Sequence, residues 1–71
     1  MDKVALKAKM IINNDTGMEL SKALDISETT LSAKLNGKSE FTRSEIAKIK
    51  QRYNLSATEV DEIFFNYKVT Y

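Results

Sequence analysis

Seventy-one residues, 42% of them hydrophobic and 30% charged, describe one small globular domain rather than a disordered chain. The chain has no cysteine and no histidine, which removes disulfides, thiolate metal sites, the commonest zinc ligand and the usual general base. A formal charge of +1 neither demands nor excludes a polyanionic partner, but it is unevenly placed: Arg43, Lys48, Lys50 and Arg52 make 41–55 basic, whereas Glu59, Asp61 and Glu62 make 56–71 acidic.

The first predicted helix runs from Asp2 to Ile12. Val4, Ala5, Leu6, Met10 and Ile11 give it an apolar side, with Lys3, Lys7 and Lys9 left in water. Asp2 suits the positive end of the helix dipole, and Asn13-Asn14-Asp15 is turn chemistry that stops the helix. No apolar run approaches the roughly 18 residues of a membrane span, and no signal-peptide core is expected at the N-terminus.

Thr16 with Glu19 three residues later spells a capping box and opens a second helix. Gly17, at its first position, leaves room for another backbone to come close. The turn Asp25-Ile26-Ser27 follows, with Ile26 as a plug and Ser27 as the cap of a third helix, 28–36, ended by Gly37 in a left-handed conformation. Leu20 and Leu24 are spaced i, i+4, as are Leu31 and Leu35, so the two helices carry apolar stripes that can face each other across the turn. What remains outward on the third helix is short and polar: Glu28, Thr29, Ser32 and Ala33. A helix gripped by its inner face and showing small polar side chains outside fits a DNA major groove.

Phe41 stands where a staple residue packs ahead of a helix, and Thr42 with Glu45 opens that fourth helix, through Tyr53. Ile46, Ile49 and Tyr53 face the core; Lys48, Lys50 and Arg52 ride outside, as a solvated face or a partner- or DNA-flanking patch. Leu55 is a core plug. Ser56 with Glu59 opens a fifth helix to Phe65, with Val60, Ile63 and Phe64 inward and Asp61 and Glu62 outward. Phe65, Tyr67 and Tyr71 exceed what one small core needs, and Val69, Thr70 and Tyr71 favour extended backbone. That surplus suits either a dimer or partner contact or a tail folded onto its own domain. The expected organisation is a helix-turn-helix domain over 1–66, with the motif itself at about 16–37, and a tail over 67–71.

The run ELSKAL-DIS-ETTLSAKLNGK, continued as KLNGKSEFT and later EIFF, resembles the phage repressor and Cro family. The nearest likeness is to small Cro-like proteins and modulators of repression from temperate phages of Gram-positive hosts. The resemblance spans Val4 to Phe65. It implies an all-α, compact five-helix lambda-repressor-like helix-turn-helix DNA-binding domain, acting in the bacterial cytoplasm within a lysis–lysogeny switch. It calls for no cofactor, catalytic residue or metal.

The resemblance also implies a set of contact residues. The backbone N–H of Gly17 would receive a phosphate. Ser27, Glu28, Thr29, Ser32 and Ala33 would lie at the groove, and Lys38, Ser39 and Arg43 along the DNA backbone. The family commonly has glycine where Asp25 stands, alanine where Ser21 stands, and an aliphatic residue where Lys34 stands. Leu35 is then expected to take the packing role, which turns Lys34 sideways towards a phosphate.

Two functions follow from this reading. In the first, a dimer reads double-stranded operator DNA at two half-sites about one helical turn apart. In the second, the same surface binds and disables a partner repressor: Glu28, Glu40 and the absence of Arg, Asn or Gln base readers suit a basic protein face better than phosphates. An enzyme is disfavoured, because Asp61 and Glu62 are neighbours on an outward face and Glu19 belongs to a cap.

Overall fold

A side-chain cap starts every helix among the described residues. The computed structural model describes residues 1–65; the expected tail, with Tyr67, Val69, Thr70 and Tyr71, lies outside the described residues. Five helices follow one another: α1 (Lys3–Ile12), α2 (Gly17–Leu24), α3 (Glu28–Leu35), α4 (Arg43–Arg52) and α5 (Ala57–Phe64), with no strand among the described residues. Asp2, Thr16, Ser27, Thr42 and Ser56 each accept a hydrogen bond from the N–H three residues ahead, meeting one of the amides a helix start leaves without an intrahelical partner. No helix among them is long and apolar enough to cross a membrane.

Two of the three expected capping boxes close in both directions. Glu45 Oε1 accepts from Thr42 N–H at 2.8 Å and Glu59 Oε1 from Ser56 N–H at 3.0 Å. The third is half formed: Glu19 N–H donates to Thr16 Oγ1 at 3.1 Å, but the Glu19 side chain makes no return bond. The Glu19 side chain is left in solvent.

The helix ends are as uniform as the starts. After α1, α2, α3 and α4 a residue with positive φ reverses the chain: Asn14 (54°), Asp25 (58°), Gly37 (77°) and Asn54 (52°). At each, the next N–H reaches back five residues, as in Ile26 N–H to Ser21 O at 3.0 Å and Leu55 N–H to Lys50 O at 2.9 Å. This is the Schellman closure, and the apolar residues it delivers, Ile26 and Leu55, pack on the core. Asp25 thus holds the conformation glycine would adopt most cheaply, which Asp tolerates better than most residues.

Leu6, Met10, Leu20, Leu24, Leu31, Ile49, Tyr53, Leu55 and Ile63 form the core, with Leu35, Phe41, Val60 and Phe64 packed partly against it. The paired stripes of α2 and α3 meet as their spacing predicts. Ser21 is buried at their crossing with its hydroxyl donated to Met18 O at 2.8 Å. Asp15 joins the α1–α2 turn to the end of α4: Arg52 clamps it with two N–H bonds of 2.8 and 2.7 Å, and the Tyr53 hydroxyl donates to the same carboxylate. Arg52 is therefore not simply a solvated cation.

Helix α1 departs from expectation. Leu6 and Met10 go inward and Ala5 is half-buried, but Val4 and Ile11 are exposed, as is Ile12. The inward side is set by ties from α1 and its cap to α5: Asp2 N–H donates to Ile63 O at 2.6 Å, and Lys9 pairs with Glu59. Lys9, held by Glu59, and Lys3, whose ammonium donates to Asn36 Oδ1, are half-buried, and only Lys7 of the three lysines stays fully wet.

Candidate nucleic-acid interface

The outer face of α3 is built by subtraction. Leu31 is buried against α2 and Leu35 is half-buried, which leaves Glu28, Thr29, Ser32 and Ala33 on the far side. These four, with Asn36 and Lys38, line one shallow recess. Its floor is made by the short side chains of Thr29, Ser32 and Ala33, with the longer Glu28 and Lys38 among its lining. A second, narrower groove runs beside it, between Lys7 of α1, Gly17 and Met18 of α2, and Leu31 and Leu35 of α3.

The expected residues fall into two groups. Glu28, Thr29, Ser32, Lys38, Ser39 and Arg43 are exposed, and Ala33 is half-exposed. Lys38 and Arg43 have no ion-pair partner among the described residues. Ser27 is exposed but occupied: its hydroxyl accepts from Thr30 N–H at 3.0 Å and donates to Thr30 Oγ1 at 2.8 Å. Gly17 opens α2 as expected. Its lack of a side chain is not needed for internal packing, since an added Cβ would meet only Leu31 Cδ2 at 4.0 Å, an ordinary contact.

Lys34 does not point sideways to solvent. It is Lys34, not Leu35, that turns fully inward, occupying the position expected for an aliphatic residue. Its side chain is 10% exposed and its ammonium donates to Glu45, whose side chain is 9% exposed. The stem lies by Phe41, with the nitrogen 5.9 Å from the ring centroid. Phe41 in turn stacks edge-on against Phe64 at 5.6 Å. A buried ammonium needs a counter-charge, and Glu45 supplies it while completing its own cap. Burial pushes the Glu45 carboxyl up, but the Lys34 ammonium and the Thr42 amide outweigh it and hold it below the ordinary carboxylate range.

Asn36 was not among the expected contact residues. It follows Ser32 by one turn, the spacing that puts it on the same face. Its amide is engaged: Oδ1 accepts from Lys3 Nζ at 2.6 Å, and Nδ2 lies 3.4 Å from Ser32 Oγ. Among the described residues, no group of His, Cys, Asp and Glu side chains is arranged to hold a metal ion.

Residues 1–67 match the family described as Protein of unknown function (DUF739), and the chain belongs to that family. No curated protein and no solved structure gives a match.

Proposed function

We propose that this DUF739 chain is a phage-type transcriptional regulator of a lysis–lysogeny switch that binds operator DNA through α2 and α3. The carrying observation is the outer face of α3, where the short side chains of Thr29, Ser32 and Ala33, beside Glu28, lie exposed or half-exposed on a helix anchored from behind. In this reading Thr29 and Ser32 bond base edges and Ala33 meets a thymine methyl, while Lys38, Arg43 and the Gly17 N–H hold phosphates. Two copies read two half-sites in the bacterial cytoplasm, with no cofactor and no catalytic step.

One observation favours a second reading, an antirepressor that docks the same face onto a partner repressor. With Lys34 buried and Asn36 engaged, the exposed face keeps Glu28 but loses a cation and a free amide. A free carboxylate at the start of α3 suits a basic, DNA-reading protein face better than a phosphate. Amide chemical-shift mapping tests the assignment of the face. On adding a duplex from the DNA beside the chain's own gene, the largest shifts are expected at Gly17, Thr29, Ser32, Ala33 and Lys38. Shifts confined to α4 and α5 would remove α3 from the interface.

A further inference from the structure

Two recesses flank the outer face of α3, one towards α1 and α2 and one towards the loop that follows, and Glu28, Ser32 and Asn36 line both. Their i, i+4, i+8 spacing makes them one row along the helix, so this row is the crest between the recesses. A helix lying in a groove puts its crest nearest the bases. Glu28 and Ser32 bring a carboxylate and a hydroxyl to it; Asn36, the C-cap of α3, brings an amide.

We infer that Asn36 is the residue with which α3 selects adenine, and that Lys3 of α1 positions it. Lys3 Nζ lies 2.6 Å from one end of the Asn36 amide, and an ammonium has donors only, so that end is the carbonyl Oδ1. The Nδ2 end faces Ser32 Oγ at 3.4 Å, a long and weak contact. Turning the amide over would set its NH2 against the ammonium, so Lys3 fixes its orientation. Engagement does not exhaust the amide. Oδ1 has two lone pairs and Nδ2 two hydrogens, and these contacts use one of each. An acceptor and a donor remain side by side. In the major groove adenine matches that pair: its N6–H donates to Oδ1, and Nδ2 donates to its N7. Guanine offers acceptors at both places, N7 and O6, and leaves Oδ1 without a donor.

The inference rests on the reading of α3 as a DNA-binding helix, and it supplies the bidentate contact that the short side chains of Thr29, Ser32 and Ala33 cannot make. Lys3 acts through the amide and not through a phosphate, since its side chain is half-buried and its ammonium is held at Asn36. Loss of Lys3 should therefore blunt the choice of adenine and leave the number of neutralised phosphates unchanged. Lys38 differs, because its loss weakens binding to every sequence.

Anisotropy titrations of the whole chain test the inference, using the duplex from beside its own gene and versions with each base pair changed in turn. The unaltered chain should lose about tenfold or more in affinity when one A·T pair is replaced by G·C. Asn36→Ala should bind the native and the changed duplex alike at that position and keep its choices elsewhere. Asn36→Ser repeats the test should Asn36→Ala lose its helical circular dichroism. Lys3→Met should reduce the preference at the same base pair with the salt slope unchanged, and Lys3→Arg, which keeps a donor, should restore it. A chain indifferent to every change would overturn the reading of α3 and this inference with it. Selective binding that Asn36→Ala leaves intact at every position would overturn this inference alone. If Lys3→Met kept the preference and lowered the salt slope by about 1, Lys3 would be a phosphate contact and its positioning role would fall.

Discussion

The Lys34 ammonium donates to Glu45 beneath α3, tying the last turn of that helix to the capped first turn of α4. A residue that stands among candidate surface cations is thus a buried strut that sets how α3 is presented. Removing one partner leaves the other charge buried and unpaired. Glu45→Gln should therefore destabilise the fold by about 3 kcal/mol, read by urea unfolding. Lys34→Met, which keeps the stem, relieves the burial of an ammonium, and in combination with Glu45→Gln it should cost less than the two single changes added together.

Acid unfolding should report on Asp15. The Arg52 guanidinium, foremost, and the Tyr53 hydroxyl lower its carboxyl from 3.8 to about 2, against the opposing effect of burial. A depressed carboxyl stabilises the fold above its unfolded value and loses that contribution as pH falls through the folded one. Stability should drop between about pH 4 and pH 2, by about 2 kcal/mol. Asp15→Asn should be less stable at neutral pH and flatter across that window. At the alkaline end, burial and the bond to Asp15 raise the Tyr53 hydroxyl. Neutral Tyr53 then favours the fold until the pH passes about 10, and stability declines above it.

The turn between α2 and α3 tests the backbone argument. Asp25 sits at φ 58° and ψ 44°, where a side chain is tolerated rather than wanted. Asp25→Gly should be neutral to stabilising by up to about 1 kcal/mol, whereas Asp25→Val should cost about 2 kcal/mol. Thermal unfolding of the pair separates a turn fixed by conformation from one held by the Asp25 side chain.

Much of this architecture was legible because its signals are local. Thr42/Glu45 and Ser56/Glu59 announce helix starts within four residues, and Gly37 announces an end. The stripes Leu20/Leu24 and Leu31/Leu35 fix which faces of α2 and α3 meet. Where local signals compete, the outcome depends on contacts far along the chain. The outward side of α1 could not be read from KVALKAKMII, since apolar residues surround most of that helix; the ties to Ile63 and Glu59 decide it. Lys34 and Leu35 are adjacent, so periodicity alone leaves either free to turn inward. Glu45, eleven residues on, settles the choice, and a Glu already engaged in a cap gave no sign of a second duty.

Individual contacts in the proposed interface separate by their salt response. Lys38→Ala and Arg43→Ala should each weaken DNA binding for all sequences and lower the salt slope by about 1. Thr29→Ala and Ser32→Ala should instead reduce discrimination between duplexes with the slope unchanged. Glu28→Gln should tighten DNA binding, and it should loosen binding to a basic repressor face if that is the true partner.

The central claim is that α3 reads DNA sequence. Its most direct test is fluorescence anisotropy with a duplex from beside the chain's own gene and a scrambled duplex of equal composition, at low and moderate salt. The account predicts tight binding to the native duplex that persists at moderate salt, after binding to the scrambled one has gone. Weak binding that fades equally for both would contradict it: only counterion release would remain, and the partner of this surface would be a protein.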